Sequence, residues 1–189
     1  ESPTFAAMIP MQVYNSLQVP EERTVLEGIK HLIIGGGAID DGLANELKHF
    51  PNNVWSTYGM TETLSHIALR RLNGDNASDW YTPFDQVHIR LSEEGTLVIH
   101  APEVCAEELT TNDIAEINEK GEFRILGRKD NVINSGGIKI QIEQVEALLK
   151  PHLSTPFLIT STSDAKFGEA VVLLYEKGNE EELQSLCKA

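Results

Sequence analysis

Eight consecutive residues, Ser56-Thr57-Tyr58-Gly59-Met60-Thr61-Glu62-Thr63, hold the densest chemistry in this sequence. An apolar run ending in Val54-Trp55 precedes them and reads as the end of a β-strand. Gly59 then permits a sharp change of direction that a residue with a Cβ resists. Tyr58 has a ring that can stack on a base, Thr61 and Thr63 have hydroxyls for phosphate oxygens, and Glu62 is a lone carboxylate. Such a carboxylate suits Mg²⁺, a hard cation that takes oxygen ligands. Open α/β sheets place ligands at strand ends, so the set suits a nucleotide. An ordinary strand-to-turn transition with surface hydroxyls accounts for the same residues.

Two groups downstream extend the pattern. Thr111-Asn112-Asp113 sets a carboxylate at the mouth of a hairpin, where it can accept from two ribose hydroxyls. Arg128, within Gly127-Arg128-Lys129-Asp130, offers a forked donor to ribose or phosphate oxygens. A solvated loop and an exposed charged turn are the simpler explanation of these residues alone. Asn134-Ser135-Gly136-Gly137-Ile138-Lys139 pairs two glycines, which let a backbone approach a ligand closely, with a cation at Lys139. A tight turn between two strands calls for the same glycines.

The elements that must position these groups follow from periodicity and turn signals. Residues 5–9 read as a short buried strand, and Pro10 suits the first turn of a helix over 11–17. Residues 20–23 read as a polar loop. His31-Leu32-Ile33-Ile34 is a buried strand followed by Gly35-Gly36-Gly37. Asp40 or Asp41 can cap a helix whose apolar positions Leu43, Ala44, Leu47 and Phe50 recur at helical spacing, and Pro51-Asn52 stops it. Residues 54–58 make a third strand, giving a β-α-β-like region. After Glu62, periodicity slightly favours a helix over a strand. Residues 86–100 and 114–126 then read as two hairpins with glycine-ended turns, hence a small antiparallel sheet or half-barrel. Residues 127–130 form a charged break and a candidate hinge. Beyond it the order is strand, Gly136-Gly137, strand, helix (142–149), strand (157–161), strand (171–175) and an acidic helix (179–188), a compact α+β unit.

Composition narrows the function classes. The 189 residues allow one large domain or two small ones, and 41% apolar content supports a packed core. Lys+Arg 15 against Asp+Glu 29 gives a net charge of −14, which argues against a nucleic-acid or anionic-membrane surface. Cys105 and Cys187 lie far apart, so neither a disulfide framework nor a structural zinc is expected and a reducing cytoplasm fits best. No apolar run reaches the ~18 residues needed to cross a bilayer. The sequence starts without Met and is expected to be an excised piece of something longer.

In order and spacing, these groups resemble the adenylate-forming superfamily: acyl- and aryl-CoA synthetases, luciferases and peptide-synthetase adenylation domains. Tyr58-Gly59-Met60-Thr61-Glu62 matches that family's signature after a central strand. Gly95-Thr96-Leu97-Val98-Ile99 resembles its "GELxIxG" hairpin, and Thr111-Asn112-Asp113 its "TGD", with Asn112 replacing glycine. Gly127-Arg128-Lys129-Asp130-Asn131-Val132-Ile133 matches "GRxDxxI", and residues 164–169 look like "DxxxGE". The resemblance implies two steps: a carboxylate attacks the α-phosphate of ATP to give an acyl-adenylate and pyrophosphate, and a thiol then displaces AMP.

It also implies roles. Gly36, Gly37, Tyr58, Gly59, Met60 and Thr61 form the nucleotide site with Asp113 and Arg128, Tyr58 stacking on adenine and Asp113 holding the ribose. Thr61 and Glu62 are catalytic, Glu62 carrying Mg²⁺, and Asp130 is the hinge. The implied architecture is α/β plus β. Residues 1–79 are the later part of a large α/β nucleotide-binding domain, 80–127 a β-barrel-like subdomain, and 128–189 a mobile, truncated small α+β domain. The resemblance further replaces the helix after Glu62 by a turn and a strand.

Ser135, Gly136, Gly137 and Lys139 resemble the "GGxxIxPxEVE" of acyl-CoA synthetases rather than an "IKxRG" of peptide synthetases, which makes CoA the expected thiol. Gln144 and Glu146 stand at that pattern's two glutamates, and Ile142 at its proline. The alternatives are loading of a carrier protein and a non-catalytic nucleotide-binding relative. Thr63-Leu64-Ser65-His66-Ile67 resembles the o-succinylbenzoate–CoA ligases of menaquinone synthesis, and Ser65 and His66 would suit an aromatic acid with a second carboxylate. His66 paired with Glu62, or facing solvent, is the plainer alternative. No lysine-ended Gly/Ser/Thr loop and no C-terminal catalytic lysine occur here, so the piece by itself is expected to be inactive. A homo-oligomer is compatible with the sequence.

Overall fold

The computed structural model describes residues 3–153 and 155–176. The chain forms two compact units, Glu1–Thr111 with Glu116–Arg124, and Asn112–Ala115 with Ile125–Ala189.

The first unit opens with β1 (Phe5–Met8), α1 (Pro10–Leu17), α2 (Pro20–Gly28), β2 (His31–Ile34), α3 (Asp41–Leu47) and β3 (Asn53–Gly59). It continues through a 3₁₀ turn (Thr61–Thr63) into β4 (His66–Arg71) and β5 (Thr82–Pro83). The sheet order is β1-β2-β3-β4-β5, with β1, β2 and β3 parallel and β4 and β5 antiparallel. Successive strand residues point to opposite faces. Leu32, Ile34 and Val54 therefore share one face, and they are buried with Val13, Leu17, Leu26, Leu43, Leu47 and Phe50 in the main core. Phe5, Ile33, Trp55 and Leu69 share the other face, on which none of them is buried.

Two expectations change here. β1 is an edge strand with Phe5 57% exposed, not a buried strand. The polar loop over 20–23 is the first turn of α2, because Pro20 at its start and Glu21 and Glu22 in its first turn are helix-initiating signals that outweigh polarity. β3 covers the expected 54–58 with one residue more at each end, and the segment after Glu62 is the turn and strand that the resemblance implied, not the helix that periodicity slightly favoured. Of the two candidate caps, Asp40 serves, accepting from Gly42 N–H at 2.8 Å and Leu43 N–H at 3.2 Å.

Next come β6 (His88–Leu91), β7 (Thr96–His100), β8 (Leu109–Ile117) and β9 (Phe123–Arg128), a four-stranded sheet in sequential order. The two expected hairpins are present. The 118–121 turn is held by Asn118 Oδ1, which accepts from Lys120 N–H and Glu122 N–H, with Gly121 at φ +77°.

In the second unit the charged break is narrower than expected. β9 continues through Arg128, and a single 3₁₀ turn (Lys129–Asn131) leads into β10 (Val132–Ser135). β11 (Ile138–Gln141), α4 (Ile142–Leu149), β12 (Phe157–Asp164) and β13 (Gly168–Tyr175) follow, and the sheet order is β11-β10-β13-β12. Both last strands are longer than their apolar runs suggested, since their full register pairs Phe157–Tyr175 through Asp164–Gly168. The acidic helix expected over 179–188, and Cys187, lie outside the described residues.

Candidate functional site

In the first unit the carboxyl ends of the parallel strands frame a groove of about 310 Å³, lined among others by Ile9, Gln12, Gly35, Gly36, Thr57 and His66. Its floor depends on missing side chains. A Cβ at Gly35 would overlap the Thr57 hydroxyl, and one at Gly36, whose φ is +78°, would lie 3.3 Å from Ile9 Cγ2. Gly37 has only Pro10 atoms near it, at 3.8 Å.

Thr57 faces this groove, so its neighbour Tyr58 turns to the opposite face. There its ring packs edge-on against Phe123 (5.0 Å) and tilted against Tyr81 (5.9 Å). Gly59 is required by proximity rather than by a left-handed backbone, which corrects the reason read from the sequence. A Cβ there would come within 2.6 Å of His66 Cα and overlap the Ser65 carbonyl, where β4 returns onto β3 past a register shift. The turn itself is taken by Leu64, at φ 61° the only positive-φ non-glycine among the described residues. A bulky residue in that region stores strain, and such strain gathers at functional turns.

The two threonines have different fates. Thr63 is buried, and its hydroxyl accepts from Met60 N–H at 3.0 Å and donates to the Ser65 carbonyl at 2.7 Å. It therefore locks the turn and is not available to a phosphate. Thr61 and Glu62 are exposed, and neither side chain has a partner among the described residues. Ser65 Oγ lies 3.2 Å from His66 Nδ1, and the His66 ring meets Phe84 edge-on at 5.5 Å. No Glu62–His66 ion pair forms among the described residues.

The second unit brings together the other predicted group. Arg128 donates through Nε and Nη2 to both oxygens of Asp130 (2.9 and 2.8 Å) and through Nη1 to Asp113 at 3.3 Å. Arg128 beside it holds the Asp130 carboxyl below its ordinary range. The linking turn is tied down by residues that sequence reasoning missed. Gln141 Nε2 donates to the Arg128 carbonyl at 2.9 Å and to Glu143, and Asn131 Nδ2 donates to Glu143 at 2.7 Å. Burial pushes the Glu143 carboxyl up, yet these hydrogen bonds leave it below its usual value. Gly127, at φ +155°, has no room for a Cβ, which would lie 2.6 Å from Gln141 Nε2. Gly136 and Gly137, at φ 58° and 85°, make the two-residue turn between Ser135 of β10 and Ile138 of β11, with Lys139 exposed opposite Asn134. No group of three or more His, Cys, Asp or Glu able to hold a metal occurs among the described residues. No described helix is long and apolar enough to cross a membrane.

No family model matches the sequence. The chain is similar to the 2-succinylbenzoate–CoA ligase of Bacillus cereus (strain ATCC 10987 / NRS 248), 25% identical over 218 residues, covering 98% of this chain and 45% of the relative. It is also similar to the enzyme of that name from Salmonella typhimurium (strain LT2), 27% identical over 189 residues, covering 92% and 40%. The chain thus spans less than half the length of these relatives. Of solved structures, an acyl-CoA synthetase (AMP-forming)/AMP-acid ligase II-like protein from Dyadobacter fermentans is 32% identical at TM-score 0.65, covering 98% of this chain and 55% of the other. MenE from Bacillus subtilis in complex with the acyl-adenylate intermediate OSB-AMP aligns at TM-score 0.72 with 22% identity, covering 98% and 44%. Along nearly its whole length, then, the chain resembles the adenylate-forming enzymes and shares their fold.

Proposed function

We propose that the chain is the later part of an ATP-dependent, AMP-forming acid–CoA ligase whose acid is aromatic and carries a second carboxylate, as 2-succinylbenzoate does. The observation that carries this reading is the similarity to enzymes of that name along 98% of the chain. Tyr58 to Glu62 and Gly127 to Ile133 match the family's motifs, with departures at Thr96, Asn112, Ile142 and Gln144. Residues 1–79 and 80–127 supply the large domain and its barrel-like subdomain, and 128–189 the small domain that swings about Asp130.

In this reading the substrate carboxylate attacks the α-phosphorus of ATP, pyrophosphate leaves, and the CoA thiol then displaces AMP. Adenine stacks on Tyr58 on the face of the sheet opposite the glycine-floored groove, with Gly36, Gly37 and Met60 contributing backbone at the strand ends and Gly59 keeping those ends close. Thr61 donates its hydroxyl to a phosphate oxygen. Glu62 is an exposed carboxylate with no partner among the described residues, which fits Mg²⁺, a cation held by one or two carboxylates together with substrate phosphates. When bound, Mg²⁺ supplies charge neutralisation at the α-phosphate and leaving group. Asp113 accepts from the ribose hydroxyls, braced by Arg128. Ser65 and His66 donate to the second carboxylate of the acid from the rim of the glycine-floored groove. The Gly136-Gly137 turn leaves space for a pantetheine arm, since a Cβ at Gly137 would meet nothing within 4 Å, and Lys139 provides a cation for CoA.

The test uses the whole protein. CoA thioester and AMP should form from ATP, Mg²⁺, CoA and an aromatic diacid. His66→Ala should raise the apparent KM for the acid far more than that for ATP. Equal effects on both remove His66 from the acid site, and transfer only to a carrier protein would replace CoA as the acceptor. The 189-residue chain alone should show no ATP–pyrophosphate exchange.

A further inference from the structure

A second groove, of about 460 Å³, lies in the first unit at the β4–β5 side of the sheet and is lined by residues the ligase reading does not use. Trp55, Leu69, Trp80, Pro83 and Phe84 give it apolar walls, and Arg71 stands in it. The sequence has six arginines, and Arg23, Arg70, Arg90, Arg124 and Arg128 each pair with a carboxylate. Arg71 alone pairs with none among the described residues, in a protein with 29 acidic side chains.

Arg71 is nonetheless held in place. Its Nε donates at 2.7 Å to Oδ1 of Asn73, a residue 2% exposed, and its guanidinium lies 5.1 Å from the centre of the Trp55 ring. Nη2 reaches the Asn52 carbonyl only at 3.5 Å, and Nη1 has no partner among the described residues. An arginine anchored on one edge, stacked on one face and open on the other edge is preorganised for a bidentate carboxylate. Neighbouring Arg70 also lines the groove, its charge shared with Asp79 at 3.7 Å and its buried Nε without a hydrogen-bond partner among the described residues. Of the acids in the lining, Glu122 is already engaged by Thr82 and Asn118, and Asp85 is exposed.

We infer that this groove binds a planar aromatic carboxylate, its carboxylate on the open edge of Arg71 and its ring against the tryptophan-lined walls. The volume lies within the range of small-molecule sites, about 300–1,000 Å³. The inference is independent of the ligase reading, because its site shares no lining residue with the His66 groove.

The chain carries its own probe, since both of its tryptophans, Trp55 and Trp80, line the groove. Titrating the 189-residue chain with benzoate should change tryptophan fluorescence saturably, with a dissociation constant on the order of 1 mM. Acetate and benzyl alcohol, each lacking one half of the recognised group, should bind at least tenfold more weakly. Arg71→Gln should weaken benzoate about tenfold or more, the cost of a lost charge-assisted hydrogen bond. Arg71→Lys keeps the charge without the fork, and binding weakened severalfold in that variant decides the matter should the first not fold. An equal response to benzyl alcohol, or benzoate binding unchanged by both substitutions, overturns the inference.

Discussion

Replacing Asn73 by alanine should destabilise the first unit more than any change at its surface. Asn73 is 2% exposed and makes four short hydrogen bonds. Its Oδ1 accepts from Val54 N–H at 3.1 Å and Arg71 Nε at 2.7 Å, while Nδ2 donates to the carbonyls of Phe50 at 2.8 Å and Asn52 at 2.7 Å. Alanine strands the Val54 N–H, whose residue is fully buried, and leaves both carbonyls without that donor. A buried group that loses its partner costs roughly 1–3 kcal/mol, and water can reach the Asn52 side, so the net loss should be about 3 kcal/mol. That is a large fraction of the roughly 5–15 kcal/mol that holds a domain together. Urea unfolding followed by tryptophan fluorescence reads this unit alone, because Trp55 and Trp80 both lie in it. With a slope of about 1.5 kcal/mol per M, the midpoint should fall by about 2 M. Asn73→Asp keeps the acceptor for Val54 but sets a carboxylate against two carbonyls, so at neutral pH it should lose a comparable amount. A midpoint shift below about 0.5 M for alanine would show that the four bonds contribute little beyond what solvent replaces.

Three further outcomes are expected. Gly59→Ala should cost about 1–3 kcal/mol in the same tryptophan transition, because the new methyl meets backbone that cannot rotate away; a wild-type midpoint would mean that β3 and β4 separate freely at the bulge. Asp40→Ala should cost about 1 kcal/mol by removing the α3 cap, with Asn restoring most of it, and equal loss in both would point away from capping. In the second unit, the Asn134 N–H and the Ser161 hydroxyl hold the Glu169 carboxyl below its ordinary 4.5. A native value below the unfolded one means a contribution fully present above that pH and lost as pH falls through the native value. Amide protection factors in β13, the intrinsic exchange rates divided by the observed ones at each pH, should therefore fall on acidification in the native chain and less so in Glu169→Gln; identical acid limbs would exclude the carboxylate.

Read without coordinates, the order of elements from β2 onward was legible almost throughout, because alternation, helical spacing and glycine-ended turns are local signals. So was membership of the two chemical groups: Tyr58 to Glu62 at a strand terminus, and Asp113, Arg128 and Asp130 drawn together. Asp113, however, stands midway along β8 and not at a hairpin mouth, because β8 begins at Leu109 rather than after the Thr111-Asn112-Asp113 run. What failed locally, the loop over 20–23, failed because polarity was weighed above Pro20 and two first-turn glutamates. Other features depend on which strand lies beside which. Register, not composition, turns Tyr58 toward Phe123 and Thr57 toward the glycine floor, and it makes Gly59 a point of contact rather than a bend. Thr61 and Thr63 are chemically alike in sequence, yet folding commits the Thr63 hydroxyl to the turn and leaves that of Thr61 exposed, with no partner among the described residues. The same holds for six arginines of one chemistry: only the packed structure decides that five find a carboxylate and that Arg71, pinned by Asn73 and stacked on Trp55, finds none among the described residues. Residue type sets what a side chain can bond to, whereas the partner within about 3 Å is chosen by strand pairing over long sequence separations, which no local pattern encodes.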